Sequence, residues 1–352
     1  MFFSMHFLNV KNSIAALTNG DFDKIVDTLA ASLVDIDYHY NYSLTELHKD
    51  WSVLCKFQTS GLLTKSNTRA GMKLCEHYFP NFFDIQDSKG KSFSNCWTEK
   101  NLAKVLRWNR KSHSTPYLSE IRRGIYFCCG LTKNTMFRPH LSKIICSNYA
   151  DKVVLDPCCG WGGRMLGALS SRKHYVGFEP NPQTYESLVK LARFVGVGKD
   201  RYTLICDGAE NMNNYDFPNV DLVLTSPPYF NLEIYAEGKQ QSENQYDEYS
   251  SWKDSWLKDV IQKSINRLNK NGHSAWNVHS VKNMPMVEDV EEIHKDLDFK
   301  HYIDISLTSS KRQANQKTKN KNSKNKDLTR IFVHKDQKYS ASENSFLSFF
   351  SD

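Results

Sequence analysis

Residues 153–164 read VVLDPCCGWGGR, an apolar run that leads directly into a glycine-rich turn. The side chains of Val153–Leu155 predict a buried strand, and the apolar residues of Met165–Leu169 predict a helix after the turn. Glycines at this point let the backbone pass close to another group at the carboxyl end of the strand. The stretch therefore predicts the first strand, turn and helix of a parallel α/β sheet, with a ligand site at that end.

Two further strand ends carry carboxylates in register with this turn. The second predicted strand ends at Glu179, and Asp207 follows the third. An acid at the end of the second strand can accept hydrogen bonds from both ribose hydroxyls of a nucleoside, and one after the third strand can accept from an adenine amine. One such acid is often only a helix cap. Together with Asp156, the two acids beside a glycine-rich turn predict a nucleoside cofactor.

After about residue 131 the chain alternates short β-branched runs with helical segments, which is typical of a parallel sheet with crossover helices. Only a Lys/Asn-rich segment separates the last two runs, so these are predicted to pair as an antiparallel hairpin. The predicted fold class is α/β, with a seven-stranded Rossmann-like sheet whose last hairpin is antiparallel and a mostly helical N-terminal domain. The predicted strands are Lys152–Asp156, His174–Glu179, Tyr202–Cys206, Asp221–Thr225, His273–Val278, Tyr302–Leu307 and Arg330–His334.

The N-terminal part shows helical signals. Apolar periodicity predicts a helix over Ile14–Leu33, and Ser43–Glu46 is a capping-box start signal. A basic stretch with aromatic side chains follows at residues 99–127. Before the fifth strand, a helix is predicted over Asp247–Leu268, with its stop signal at Asn271-Gly272. The predicted domains are an accessory domain and candidate target-recognition domain at 1–125, the sheet domain at 126–336, and a tail at 337–352.

The fourth predicted strand ends in Thr225-Ser226-Pro227-Pro228-Tyr229. Adjacent prolines fix the backbone and remove amide donors, so the neighbouring carbonyls remain free to accept hydrogen bonds from a ligand. The Ser226 hydroxyl and the Pro227 carbonyl can together hold an exocyclic amine, and Tyr229 offers a ring face for a planar base. This arrangement predicts a site for the amino group of a nucleobase.

The glycine-rich turn and the Thr-Ser-Pro-Pro-Tyr segment together resemble the S-adenosylmethionine-dependent methyltransferases that modify exocyclic amino groups of DNA bases. The first motif of that family is D-x-x-x-G-x-G, its catalytic motif is D/N/S-P-P-Y/F, and the resemblance covers roughly Thr132–His334. It implies a methyltransferase sheet, S-adenosylmethionine as the cofactor, and a target base that is flipped out of the duplex. The implied catalytic residues are Ser226, Pro227, Pro228 and Tyr229. The implied cofactor-binding residues are Phe137, Arg138, Asp156, Pro157, Gly160, Gly162, Glu179 and Asp207.

The identity of the methylated base is open at this point. Serine as the first residue of the catalytic motif is more typical of the family members that act on N4 of cytosine, whereas Asp or Asn is commoner for N6 of adenine. The resemblance therefore favours N4 of cytosine in DNA, with N6 of adenine as an alternative. An RNA base methyltransferase acting on guanine N2 or adenine N6 is another, and a catalytically inactive nucleic-acid-binding module is a third. Whether a restriction-modification nuclease accompanies the protein, and its oligomeric state, stay open.

Composition restricts the class and the compartment. With 40% hydrophobic residues the chain can bury a sizeable core, and it has no uninterrupted apolar run near the roughly 18 residues of a membrane-spanning helix. The nine cysteines include two adjacent pairs and no Cys-x-x-Cys spacing, which fits neither a disulfide framework nor a zinc site. We expect a protein without a metal or a membrane partner, in the cytoplasm of a bacterial or phage-infected host cell.

All of the excess positive charge lies in residues 311–326, which read KRQANQKTKNKNSKNK. The formal net charge is +7, and this segment contains seven basic and no acidic residues, so the rest of the chain has 39 of each. Such a segment can neutralise phosphates without reading bases, although an insertion without any partner is the alternative. The predicted nucleic-acid contacts are Lys311, Arg312, Lys317, Lys319, Lys321, Lys324 and Lys326.

Deletion of residues 311–326 is expected to weaken binding to all nucleic-acid sequences alike, because phosphate contacts carry no sequence information. The slope of log affinity against log salt concentration should decrease by about 0.9 for each phosphate of duplex DNA that the segment neutralises. Fluorescence anisotropy with a labelled duplex at several salt concentrations measures both quantities. An unchanged salt slope would contradict the phosphate-contact hypothesis.

Overall fold

The computed structural model describes residues 17–59, 68–87, 89–112, 117–131, 134–230, 245–281, 283–305 and 328–337. The helices in chain order are α1 (Asn19–Val34), α2 (Leu44–Lys56), α3 (Met72–Tyr78), α4 (Phe93–Cys96), α5 (Glu99–Lys111), α6 (Leu118–Cys129), α7 (Pro139–Tyr149), α8 (Gly163–Ser170), α9 (Pro182–Phe194), α10 (Tyr249–Trp252), α11 (Lys258–Asn266) and α12 (Met286–Asp296). The strands are β1 (Val153–Asp156), β2 (His174–Phe178), β3 (Tyr202–Ile205), β4 (Val220–Thr225), β5 (Leu268–Val278), β6 (Phe299–Ile305) and β7 (Leu328–His334). No helix in these ranges is long and apolar enough to span a membrane.

Local sequence signals fix several helix starts. Thr18 precedes α1, and its side chain accepts a hydrogen bond from the Asp21 amide. Ser43 and Glu46 form the predicted capping box at the start of α2. The π-helical residues Lys253–Leu257 join α10 to α11, and 3₁₀ turns lie at Pro80–Asp84, Lys199–Arg201 and Ala209–Asn214. The sequence did not predict the π-helical segment.

The described strands form one seven-stranded sheet in the order β3-β2-β1-β4-β5-β7-β6. The first five strands are parallel to one another, and β7 is antiparallel to both of its neighbours. In the middle of the sheet, Val154 of β1 pairs with Tyr175 of β2 and with Leu222 of β4. Because parallel strands are buried on both faces, they appear in sequence as short apolar runs. The predicted α/β sheet with an antiparallel last hairpin is confirmed.

The structure corrects the boundary between the helix and the fifth strand. The prediction extended the helix to Leu268 and placed its stop at Asn271-Gly272, but α11 ends at Asn266 and β5 begins at Leu268. Leu268 pairs with Val220 at the start of β4, and the register shifts after that pair. Pairing with a neighbouring strand thus extends β5 over the predicted helix stop, and helical periodicity gives no signal of such pairing.

The described chain divides into two compact units. The first unit holds the described residues up to 41 and those from 80 to 135, and its core lies among α1, α4, α5 and α6. The second unit holds the described residues from 42 to 79 and from 136 onward, including the whole sheet. This division differs from the boundary predicted near residue 125, because α2 and α3 belong to the second unit.

Two sets of hydrogen bonds attach α2 and α3 within the second unit. The Lys143 ammonium on α7 donates to the carbonyls of Leu54 (2.8 Å) and Cys55 (2.6 Å) in the last turn of α2. A cation is favourable there because the last carbonyls of a helix lack intrahelical donors. The Asp50 carboxylate on α2 accepts from the Gly71 amide at 3.0 Å, just before α3. These partners are far apart in sequence, so no local pattern predicts them.

The packing of α7 against α8 depends on a glycine. A Cβ atom added at Gly167 of α8 would lie 2.2 Å from Ser142 Oγ and 2.6 Å from the Lys143 amide nitrogen, both on α7. The Ser142 hydroxyl also donates to the Arg164 carbonyl at 3.0 Å. Since α8 begins in the glycine-rich turn, its contact with α7 also fixes the position of that turn.

We expect Gly167→Ala to lower the free energy of unfolding by about 1 to 3 kcal/mol, because the added methyl group overlaps Ser142. Gly20→Ala is the matched control, since Gly20 also lies in a helix and has no atom within 4 Å of the added Cβ. It should be neutral or stabilise by up to about 1 kcal/mol. Urea denaturation of both variants measures the difference, and equal stabilities would contradict the packing argument.

Candidate active site

The carboxyl ends of β1 to β4 bring the predicted site residues to one edge of the sheet. Asp156 ends β1 and Thr225 ends β4, while Glu179 directly follows β2 and Asp207 follows β3. These strands are parallel neighbours, so the residues that follow them lie at the same edge. The strand order reverses between β1 and β4, and open α/β sheets bind ligands beside such a point.

Asp156 is a buried carboxylate with four hydrogen-bond donors from the protein. One oxygen accepts from Thr225 Oγ1 (2.8 Å) and the Cys158 amide (3.2 Å). The other accepts from Arg164 Nε (2.8 Å) and the Tyr175 hydroxyl (2.7 Å). Burial of a charge is costly unless it is paired and fully hydrogen-bonded, and here both conditions hold. Asp156 therefore ties together the ends of β1 and β4 and the turn, and its lone pairs are already used.

Arg164 holds the glycine-rich turn from inside. Its guanidinium pairs with Asp156, donates to the carbonyls of Cys158 and Cys159, and lies 5.4 Å from the centre of the Phe137 ring. Burial disfavours the cation, but the adjacent Asp156 raises the pKa of Arg164 above its usual value. The sequence pattern predicted no role for Arg164. The only signal was an arginine directly after two glycines.

Three glycines give the turn its path. Gly160 and Gly162 have φ values of +54° and +71°, in the left-handed region that glycine adopts readily. A Cβ atom at Gly163 would lie 2.0 Å from the Phe137 carbonyl oxygen. The glycines thus allow the turn to approach residues that precede α7, as the spacing of the motif predicted.

Glu179 is the buried acid beside the turn. Its two oxygens accept from the amides of Gly160 and Asn181, each at 3.0 Å. Burial raises its pKa to about 7, although these two amide hydrogen bonds act in the opposite direction. Each carboxylate oxygen has a second lone pair, so two more donors can be accepted. This capacity fits the two hydroxyls of a ribose.

Asp207 is a half-buried acid held in place by its own segment. Its oxygens accept from the Gly208 amide (2.7 Å), Asn211 Nδ2 (2.9 Å) and the Tyr215 hydroxyl (2.8 Å). Partial burial opposes ionisation, but these hydrogen bonds lower the pKa of Asp207 below its usual value. Near neutral pH Asp207 is therefore ionised, whereas Glu179, with a pKa of about 7, is ionised only in part, and both carboxylates lie at the same edge of the sheet.

The predicted catalytic segment follows β4 directly. Thr225 is buried and bonded to Asp156, so the start of the segment is fixed to the end of β1. Pro227 is buried, whereas Ser226 and Tyr229 are half-buried. The polar and aromatic side chains of the segment are thus accessible in part, and of the two prolines between them Pro227 is buried and Pro228 is half-buried.

Tyr229 contacts a histidine at the end of the neighbouring strand. The Tyr229 hydroxyl and His279 Nδ1 are 2.8 Å apart, and the ring centres are 4.4 Å apart. His279 directly follows β5, which is the next strand to β4 in the sheet. Sheet order brings the two residues together, and sequence spacing gives no indication of the contact.

Aromatic packing anchors the chain after the segment. Phe230 is buried, with ring centres 6.0 Å from Trp252 and 6.1 Å from Tyr249. Trp252 stacks on Trp256 at 5.2 Å, and the Tyr249 hydroxyl donates to Asp289 at 2.5 Å. The beginning of α10 is therefore fixed close to the end of β4.

The other predicted cofactor residues differ in what the structure shows of them. Phe137 is half-buried under Arg164, and Pro157 is buried in the turn. Arg138 immediately precedes α7, where its carbonyl accepts from the amides of Leu141 and Ser142. Residues 132–133 and 231–244, together with all seven predicted nucleic-acid contacts between Lys311 and Lys326, lie outside the described residues.

The cysteines of the turn are not arranged as nucleophiles. Burial raises the pKa of Cys158 and Cys159 above the usual thiol value, which disfavours a thiolate. Among the residues that the structure describes, no group of three or more His, Cys, Asp or Glu side chains could hold a metal ion.

Two family models match adjoining parts of the chain. Residues 220–349 match a DNA methylase model of the N6/N4 type, and residues 151–271 match the model of RNA cap guanine-N2 methyltransferases. The second match contains the glycine-rich turn with Glu179 and Asp207, and the two matches overlap over residues 220–271, which include the predicted catalytic segment. No curated protein matches the chain.

Several solved structures align with more than half of the chain. An rRNA methylase from Streptococcus thermophilus has 16% identity and a TM-score of 0.38, with 58% of this chain and 100% of that chain covered. A Streptococcus mutans protein described as a methyltransferase, solved with S-adenosylhomocysteine, has 16% identity and a TM-score of 0.38, with 56% and 98% covered. TrmN from Thermus thermophilus has 14% identity and a TM-score of 0.37, with 56% and 48% covered.

The sheet has the seven strands and the antiparallel last hairpin that the sequence predicted. Both matching models describe enzymes that methylate, and together they extend from β1 to beyond β7. Residues 151–349 of this chain therefore match methyltransferase models, and the resemblance to the N6/N4 DNA methylases is confirmed over residues 220–349.

Proposed function

We propose that the protein methylates the exocyclic amine of a base in DNA, with N4 of cytosine as the favoured target. The observation that carries this proposal is the hydrogen bond between Thr225 and Asp156, 2.8 Å long. It joins the start of the amine-binding segment to the strand that leads into the cofactor turn. The two halves of the reaction are thus held in one rigid frame at the edge of the sheet.

The residues of the site have separate roles in this proposal. Glu179 and Asp207 accept hydrogen bonds from the ribose hydroxyls and the adenine amine of S-adenosylmethionine. S-adenosylmethionine would supply the methyl group from its sulfonium sulfur, the neutral thioether would be the leaving group, and the methylated amine would release its extra proton to solvent. The Ser226 hydroxyl and the Pro227 carbonyl accept hydrogen bonds from the target amine, and Tyr229 stacks on the base. These acceptors draw the amine toward tetrahedral geometry, so that its lone pair becomes available for attack.

Positioning supplies most of the acceleration in this scheme. The base must leave its helical stack to reach a pocket at a sheet edge, which is the behaviour of base-flipping enzymes. The free thiols of all nine cysteines support a reducing compartment, and we propose the cytoplasm of a bacterial or phage-infected cell. A role in restriction-modification would follow from sequence-specific action on DNA.

RNA is the second candidate substrate, because residues 151–271 match RNA cap guanine-N2 methyltransferases. Both matched families methylate exocyclic amines, so the amine-binding role of the Ser226–Tyr229 segment is common to the two candidates. Incubation with labelled S-adenosylmethionine and either unmodified duplex DNA or ribosomal and transfer RNA, followed by nucleoside mass analysis, separates them. We expect N4-methylcytosine from DNA. Detection of N6-methyladenine in DNA, or of a modified guanine or adenine in RNA, would identify that base as the target instead. Absence of methyl transfer to any nucleic acid would contradict the proposed function.

We expect Tyr229→Ala to reduce kcat/KM for the nucleic acid by about 5- to 150-fold, equivalent to about 1 to 3 kcal/mol of base stacking. Cofactor affinity should not change, because Glu179 and Asp207 are untouched. Tyr229→Phe is the matched control: it keeps the ring and removes only the hydroxyl that contacts His279. Steady-state kinetics and calorimetric titration of the cofactor test both variants, and an equal loss of cofactor affinity would show that the pocket is misassigned.

Cofactor affinity is expected to rise by about tenfold between pH 6 and pH 8, because ionised Glu179 is the stronger acceptor and its pKa is about 7. Glu179→Gln cannot ionise and should bind weakly with no such pH dependence. The free energy of unfolding without cofactor changes in the opposite direction. The folded protein holds the Glu179 proton more tightly than the unfolded chain does. The free energy of unfolding therefore falls as the pH rises from about 4.5 to about 7. Calorimetric titration at several pH values tests the first effect, and equal affinities at pH 6 and pH 8 would contradict it.

A further inference from the structure

The first unit has an aromatic and cationic surface that its core does not use. Helices α5 and α6 each place one apolar face in the core of the unit. A Cβ atom at Gly124 would lie 2.4 Å from Val105 Cγ1, so the two helices are in close contact. The core-facing residues are Leu102, Ala103, Val105 and Leu106 of α5 and Ile121 and Ile125 of α6.

Outside this core, the two helices present aromatic rings beside a guanidinium. Trp108 of α5 and Phe127 of α6 have ring centres 5.3 Å apart, and the rings are inclined by 31°. The Arg123 guanidinium lies 5.3 Å from the centre of the Trp108 ring. Phe127 is 70% exposed. Single exposed apolar side chains are common, but an exposed ring that contacts a second ring, which in turn contacts a cation, is a preformed stacking surface.

The charges around these rings are strongly positive. Helices α5 and α6 contain seven basic and two acidic residues. Two of the basic side chains turn inward: Arg110 donates to the Leu17 carbonyl, and Arg122 donates to the Tyr38 carbonyl.

Two other basic side chains form ion pairs. Arg107 pairs with Asp27 of α1 at 3.2 Å, and Arg123 pairs with Glu120 at 2.7 Å. The structure thus separates the basic side chains that hold the unit together from those that remain on its surface.

Lys104 and Lys111 are exposed side chains of α5. Lys104, Trp108 and Lys111 are spaced by four and three residues along α5, so their side chains lie on the same face of that helix. We define the stacking face as Lys104, Trp108, Lys111, Arg123 and Phe127. It combines ring faces for planar groups with ammonium and guanidinium groups for anions.

This combination fits nucleic acid with unpaired bases. Bases stack on aromatic side chains and on arginine, and lysines neutralise the backbone phosphates between them. In a regular duplex the base faces are already stacked on one another, so the rings would have no exposed base to contact. An apolar protein partner would gain from the rings, but it would have to desolvate the surrounding cations.

We propose that the stacking face binds an unpaired stretch of a nucleic-acid strand through its bases and phosphates. The proposal deepens the proposed function, on which it rests for the class of partner, because it assigns to the first unit a preference for single-stranded or locally opened substrate. DNA and RNA strands both offer unpaired bases and backbone phosphates, so the test uses both.

The test measures binding of the full-length chain to fluorescein-labelled oligothymidylate and oligouridylate of about 20 nucleotides, and to a duplex of equal length, by fluorescence anisotropy. Phe127→Ser should weaken binding to the single strands by about 5- to 150-fold and leave duplex binding nearly unchanged. Leu44→Ser is the matched control, since Leu44 is an apolar side chain of α2 with 67% exposure. Urea denaturation establishes that each variant is folded.

Two further substitutions at the same position separate stacking from general hydrophobic contact. Phe127→Trp keeps a ring face and should bind single strands at least as well as the original chain. Phe127→Leu keeps apolar surface without a ring and should lose affinity nearly as much as Phe127→Ser. If Phe127→Leu binds as well as the original chain, stacking is excluded and the face suits an apolar protein partner instead. The double substitution of Lys104 and Lys111 by Gln should lower the salt slope by about 0.7 for each phosphate that these lysines neutralise on a single strand.

Failure of this proposal and failure of the proposed function give different results. Methyl transfer to a nucleic acid with unchanged single-strand affinity in Phe127→Ser would overturn the stacking face and leave the enzyme activity standing. Ring-dependent single-strand binding without methyl transfer to any nucleic acid would support the stacking face and contradict the proposed activity. A stronger response of oligouridylate or of oligothymidylate to Phe127→Ser identifies whether RNA or DNA is the preferred strand.

Discussion

The hydrogen bonds to the buried Asp156 carboxylate are the interaction on which the site depends. One carboxylate joins the ends of β1 and β4 through Thr225, reaches β2 through Tyr175, and holds the glycine-rich turn through Arg164. Breaking one partner of a buried ion pair leaves an uncompensated charge, which is far more costly than loss of an exposed pair. The position of the turn and that of the catalytic segment are therefore coupled through a single side chain.

This arrangement divides the acids at the sheet edge into two kinds. Asp156 is satisfied entirely by the protein, so its contribution to a cofactor is the position of the turn. Glu179 is equally buried, but only two backbone amides donate to it, and burial consequently raises its pKa to about 7. A carboxylate with unused lone pairs in a poorly solvated place is stabilised by any ligand that brings hydroxyl donors. The two buried acids thus differ in their partners: Asp156 accepts from four donors of the protein and Glu179 from two.

Much of the fold could be predicted because the signals are local. Apolar runs located all seven strands, the capping box at Ser43 located the start of α2, and the Lys/Asn-rich composition of the connection before β7 indicated an antiparallel hairpin. The boundary at Leu268 was wrong because strand pairing replaced helical periodicity. The place of α2 and α3 beside the sheet was missed because it depends on contacts such as Lys143 with Leu54, whose partners are distant in sequence. The basic residues of α5 and α6 looked alike in sequence, and only packing separated the inward Arg110 from the exposed Lys104.

The sequence by itself determined the class of fold, the glycine-rich turn, the two acids that follow β2 and β3, and the Thr-Ser-Pro-Pro-Tyr segment, because each is a property of adjacent residues. It also located the whole of the net positive charge within one segment. Only the tertiary structure decided that Asp156 is saturated, that Arg164 fills the turn, that His279 contacts Tyr229, and that Trp108 and Phe127 form one surface. These features join residues from different strands or helices, and the free energy of such contacts depends on burial and distance, which a linear pattern does not contain.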